Sequence, residues 1–389
     1  MKKDEKIQEF SLSGGPLYRL GCRLGLVRGG TNTLWMGIAI SLLFWGILVL
    51  LSLPEGKLHR IFSLEAIGGN IRLMVVIPLF FLCETIVVPR MAEFVQNIVS
   101  SGLVRESSLP SLEAGICRVR RMKDSWLAEV IFLVAAFIFP LLDSIIDMPG
   151  RTAHWEAILS SSGGGLGLHV IWYMMFCLPL FRFLLLRWLW NLGLWFYFLW
   201  LVEKLDLNLI PTHPDGAAGL GYLEVVQENF ASLALAISTL CSGNFAEEIS
   251  AGTMTFETVY PFMPVVMIVF AVIFIGPLLI FSRKLLISRR TGLKEYMVMA
   301  SRYVNGFDLK WIRGENTSGE PLIGTADIQS LADLNNSMSV VREMRVVPFS
   351  QRLITILAVS VILPLIPLLL FKYPVNELVL KLFRILSGM

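Results

Sequence analysis

Asp206-Leu-Asn-Leu-Ile-Pro-Thr-His-Pro-Asp-Gly-Ala-Ala-Gly-Leu-Gly-Tyr222 is a polar interruption between two long apolar runs, and the reading of its flanks decides the fold. Pro211 and Pro214, with Gly216, Gly219 and Gly221, rule out a continuous helix across it. Before it, apolar character runs from near Leu168 to about Val202, broken by Arg182 and Arg187. As one helix that run is roughly 50 Å long, more than an untilted span of about 30 Å needs; as two spans, each is too short. Either one helix leaves the membrane, or it bends near residues 187–193 and continues along the interface. The crowd of Trp188, Trp190, Trp195, Tyr197 and Trp200 favours the interface for its second half.

Composition agrees with a membrane protein. Apolar residues make up 55% of the 389, charged residues 16%, and the mean hydropathy is +0.68. That is outside the range of soluble globular domains. The net charge of +3 is small, and nothing in it points to nucleic acid. The five cysteines form no CxxC pair, which argues against a disulfide framework and a zinc site. The first apolar run starts only near Leu34 and has full span length, so no cleavable leader is expected.

Six further runs of span length follow from hydropathy, at about 34–53, 73–88, 126–146, 230–245, 262–281 and 353–371. Lys and Arg gather in the N-terminal segment 1–32, in the connection 89–125 and after residue 282. The connections after the first, third and fifth runs are poor in them. Seven spans with a cytoplasmic N-terminus satisfy the positive-inside rule at every connection; making 168–202 a hairpin would put the Arg283–Arg290 cluster outside. The expected fold is therefore an all-α transmembrane bundle of about seven spans. Spans 1–3 fall in 33–146 and spans 4–6 in 147–282, the latter with the Pro-His-Pro loop at 206–222 in the cytoplasm. A cytoplasmic helical segment covers 283–351, with two helices and Thr325 as a cap. Span 7 and an external amphipathic tail fill 352–389. The N-terminal segment suits a helix on anionic headgroups or a solvated basic tail.

Ionisable residues inside apolar runs are costly, and here they gather in one leaflet. Glu84 lies in the second run, Glu129 at the start of the third, Arg182 and Arg187 in the fourth, and Glu224 and Glu228 one turn apart before the fifth. Glu84 and Arg182 come out at similar depth as natural partners. Two readings apply: ion pairs that join helices, or a polar cytoplasmic vestibule. Ala234, Ser238 and Ser242 form a small-residue row that favours close packing over a pore. In the loop, Thr212, His213 and Asp215 offer an imidazole beside a carboxylate, the parts of a proton relay. The plainer reading is a Pro-Asp-Gly turn with Asp215 capping the following helix. His213-Pro-Asp215 also echoes the J-domain signature, but the basic helix that module requires is missing. There is no HExxH, Walker A or GxSxG, so no catalytic residue, metal or cofactor is assigned. His59, His154 and His169 fall on the external side without ligand spacing.

Several stretches together resemble an uncharacterised family of bacterial polytopic inner-membrane proteins. They are Pro78-Leu-Phe-Phe-Leu-Cys-Glu84, Lys123-Asp-Ser-Trp126, Leu186-Arg-Trp-Leu-Trp190, Leu207-Asn-Leu-Ile-Pro-Thr-His-Pro-Asp215 with Gly219-Leu-Gly221, and Met344-Arg-Val-Val-Pro-Phe349. The resemblance implies a bacterial inner membrane and carries no activity or catalytic residue across. A channel or transporter with a cytoplasmic vestibule is the leading functional expectation. A membrane-anchored scaffold or regulator, and an enzyme on a lipid-linked substrate using His213 and Asp215, are the alternatives. The expected partners are an anionic bilayer and, where assembly occurs, further copies of the chain.

Overall fold

A computed structural model describes residues 33–145, 167–313 and 325–372. The N-terminal basic segment, the Gly-rich connection with His154, and the C-terminal tail lie outside them. Among the described residues the chain is helical, with no strand and a single bridge between Val104 and Leu207. In chain order the helices are α1 (Leu34–Ser52), α2 (Leu64–Ser100), α3 (Leu109–Lys123), α4 (Trp126–Ile145), α5 (Leu168–Glu203), α6 (Tyr222–Asn229), α7 (Ala231–Ser250), α8 (Phe262–Ile275), α9 (Ser282–Phe307), α10 (Asp327–Glu343) and α11 (Gln351–Phe371).

Five helical stretches are long and apolar enough to cross a membrane: α1, α2, α5, the rod Phe256–Ile312 that contains α8 and α9, and α11. The central pair is α2 and α5. Both are longer than one span, at 37 and 36 residues. The expected second run, 73–88, is thus only the middle of α2. Pro89 removes one backbone bond, but Val87, Val88, Met91, Phe94, Val95 and Ile98 are buried around it and carry the helix on. The first part of the connection expected at 89–125 is thus a continuation of α2 rather than a separate helix.

α5 is one continuous helix, so the bend at 187–193 does not occur. The tryptophan crowd is also used differently from the expectation. Trp195 is fully buried, between Phe94 (centroids 5.7 Å) and Phe198 (5.8 Å). Trp188 is buried and donates its ring N–H to the Phe80 carbonyl at 3.0 Å. Because α2 extends alongside α5, the overlong half of α5 is covered by protein.

The expected fifth run, 230–245, is α7, which continues to Ser250, and Phe230 separates it from the short α6 before it. Ala234, Ser238 and Ser242 are buried, and Ser238 donates to the Val361 carbonyl of α11 at 2.6 Å, so the small-residue row serves packing. α10 begins at Asp327 with Ala326 at its N-cap position, two residues after Thr325. Ser350 does cap α11, accepting the Arg352 N–H at 3.2 Å.

Candidate functional site

The loop between α5 and α6 folds around the Asp215 carboxylate. One oxygen accepts the N–H of Ala217 (2.8 Å), the other those of Gly219 (3.1 Å) and Gly221 (2.7 Å). Successive N–H groups converge because the backbone turns left-handed at Gly216 (φ 64°), Ala218 (φ 55°) and Gly219 (φ 100°). Burial works against the Asp215 charge, but these donors and the His213 imidazole outweigh it and hold the carboxyl below its usual range. Asp215 therefore organises the whole turn rather than only capping α6. His213 lies 2.9 Å from it through Nδ1 and is 39% exposed. The Asp215 backbone N–H also points at this Nδ1, at 3.3 Å.

Three anchors hold this loop. Arg345 donates to the Asp215 carbonyl (2.8 Å), and its own N–H to the Gly216 carbonyl (2.8 Å). Pro211 packs on Gly292 of α9, where a Cβ would come within 2.6 Å of its ring. The Tyr296 hydroxyl reaches Thr212 at 3.4 Å. Arg345 also pairs with Glu224 at 2.8 Å, and Glu224 accepts the Ser350 N–H (3.0 Å) and hydroxyl. Burial penalises the Glu224 charge, yet Ser350 and Arg345 prevail and hold it below the glutamate range. Glu228, one turn on, pairs with Arg352 at 3.0 Å. Arg345 stood out from sequence only as part of the Met344–Phe349 stretch, and Ser350 and Arg352 not at all; they lie more than a hundred residues from their partners and in no apolar run.

Glu84 meets Arg187, not the expected Arg182: the two are 2.8 Å apart and both buried. Depth counted from the expected ends of span 2 misaligned the two helices, because α2 is longer at both ends. Lys123, at the end of α3, is buried close by; burial pushes its ammonium down to about 8, with Asp124 and Glu84 opposing the shift.

A second charge centre lies twelve residues earlier on α2 and was not anticipated. Arg72 donates to the Tyr173 hydroxyl of α5 (3.0 Å) and to Asn244 of α7 (2.7 Å), and sits 3.5 Å from Glu247. Both α2 and α5 contain a π-turn here, Arg72–Val76 and Tyr173–Cys177, so each turn opens on one member of the Arg72–Tyr173 bond. Gly68 lets α7 approach: a Cβ there would lie 1.9 Å from Glu247 Oε2. Arg72 escaped notice because it borders an apolar run. His169 is buried with Nδ1 3.1 Å from Glu55. No group of three metal-ligating side chains occurs among the described residues.

The candidates thus fall into local sets. Glu84 joins Arg187; Thr212, His213, Asp215 and Glu224 share the loop hub; Glu228 faces Arg352; Glu129 lines a separate apolar groove. Family models, curated proteins and solved structures provide no match to this chain.

Proposed function

We propose that the protein is a multi-pass transporter or channel of a bacterial inner membrane. In this reading α4 and α7, each of 20 residues, add to the five stretches of spanning length and hydropathy to give seven spans, with the N-terminus in the cytoplasm. One observation carries it. Ion pairs recur at two depths along α2, half-buried Arg72 with buried Glu247 and buried Glu84 with buried Arg187, about 18 Å apart along the helix. Intramembrane charge is costly and marks ion or substrate pathways. The Glu84–Arg187 pair with Lys123, the Glu228–Arg352 pair and the His213 loop form its cytoplasmic side. Purified protein in liposomes should support flux of a solute or ion that Glu84→Gln or Arg187→Met changes severalfold. Absence of flux across a broad panel of ions and organic solutes overturns the proposal.

A further inference from the structure

His169 stands in the first turn of α5 and is the one fully buried histidine among the described residues. Its Nδ1 lies 3.1 Å from Glu55 Oε2, yet neither ring nitrogen makes an aligned hydrogen bond. Buried polar atoms are nearly always bonded, and one that is not calls for a reason. Fastening α5 to the turn after α1 does not supply it. The Leu168 N–H donates to Glu55 Oε1 at 3.1 Å, and the Trp172 ring N–H to the Phe44 carbonyl at 3.1 Å, so these bonds already tie the helices. Gly167 lets carboxylate and ring meet: a Cβ there would come within 2.7 Å of His169 Cε1 and would also clash with the Glu55 carboxylate. No group of three metal-ligating side chains includes His169 among the described residues.

The surroundings suit an imidazole that gains and loses a proton. α1 carries no ionisable residue, and the turn after it supplies Glu55 and Lys57, 3.3 Å apart. Desolvation opposes the Glu55 charge, but His169 and Lys57 outweigh it and hold the carboxyl below its usual range. Glu55 thus stands ionised as a counter-charge, and at 26% exposure it links the buried ring to solvent. Tyr173 is buried one turn further in on the same face of α5. Its hydroxyl accepts from Arg72 of α2, which also holds Asn244 and Glu247 of α7. A charge placed on His169 is therefore felt at the Arg72 centre, where α2, α5 and α7 meet. Among side chains at their ordinary values, only imidazole changes charge between about pH 5 and 8.

We propose that His169 is an external proton-binding site and that the proton is the coupling ion of transport, with Glu55 as counter-charge and Tyr173 as the link to Arg72. The ring takes up one proton from the external solution and later releases it; no other covalent bond forms or breaks. The proposal rests on the transport reading and its orientation, but proton binding is measured without flux.

The test starts with the full-length protein in phosphatidylcholine nanodiscs, its imidazole nitrogens isotope-labelled for magnetic resonance. One resonance, the one absent from His169→Gln, should change protonation reversibly as the pH is lowered from about 8 to 5. Glu55→Gln should move its midpoint to lower pH, because the imidazolium loses its counter-charge. Trp172→Phe, which removes only the bond to Phe44, should leave the midpoint in place. Glu55→Gln, at a partly exposed side chain, keeps the site testable even if His169→Gln folds poorly. In liposomes, an acid exterior should speed uptake of at least one member of the solute panel severalfold, and His169→Gln should abolish the acceleration. A ring that does not titrate in this range overturns the proposal, as does a midpoint indifferent to Glu55→Gln. Uptake that ignores the gradient, or an acid response that survives His169→Gln, overturns it too. Absence of all flux overturns the transport reading alone, and the titration then decides the proton site by itself.

Discussion

At the scale of single residues, the loop hub concentrates the most bonds on the fewest side chains. Asp215→Ala leaves the N–H groups of Ala217, Gly219 and Gly221 without their acceptor. At about 1 kcal/mol or more for each bond in a half-buried site, the loop should become protease-sensitive and the melting temperature should fall; Asp215→Asn should be intermediate. Because folding lowers the Asp215 pKa, its contribution is fully present above the unfolded value of about 3.9 and is lost as pH falls through the lower, folded value. Loop protection should therefore be constant from pH 7 to about 5 and decline below about 4. Lys123 has linkage of the same sign in a more alkaline window, here because burial disfavours its charge. Its pKa of about 8 lies below the unfolded value of about 10.4, so the unfolded chain holds the extra proton between those limits and stability should rise with pH across that window. Lys123→Met should flatten the rise in a thermal-melt series. What was legible at this scale was local: Pro-Asp-Gly announces a turn, and His213 beside Asp215 is visible in the string. Arg345, which fastens that turn to the far end of the chain, is not, because hydropathy carries no information on partners separated by more than a hundred residues.

At the scale of elements, α2 is the common strut, tied to α7 by the Arg72–Glu247 pair and to α5 by the Glu84–Arg187 pair. Arg72→Met strands Glu247 in a buried position, a cost of about 3–5 kcal/mol, whereas Arg72→Met with Glu247→Leu should recover most of the stability in detergent melts. A normal melt for the single variant would show that Glu247 is solvated. Gly292→Ala should displace Pro211 from α9 and loosen the loop without disturbing the spans, visible as faster proteolysis near residue 211. Apolar run length located the five stretches that are long and apolar enough to span. It misjudged α2 and α5 because helix continuation beyond hydrocarbon depends on neighbouring protein. Trp188 and Trp195 look like interfacial anchors in the sequence, yet they are core residues once α2 runs beside them.

At the scale of the whole molecule, the orientation proposed from Lys and Arg distribution makes a direct prediction. In a cysteine-free background, Thr253→Cys, on the short turn after α7, should react with an impermeant maleimide in intact spheroplasts, and Asn336→Cys, on α10, should react only after lysis. The reverse pattern would invert the assignment. The paired π-turns of α2 and α5 have a mechanical meaning at this scale. Each stores one surplus residue upstream of Glu84 or Arg187, and the two stores are joined by the Arg72–Tyr173 bond. Deleting Val75 takes the surplus out of α2 and leaves both flanks facing as before. If α2 instead absorbed it as regular helix, everything downstream would turn by about 100°, and Glu84 would swing away from Arg187. The Glu84–Arg187 pair is therefore phased by a bulge about two helical turns away on α2, and the two charge centres keep their alignment only while both helices hold the same slack.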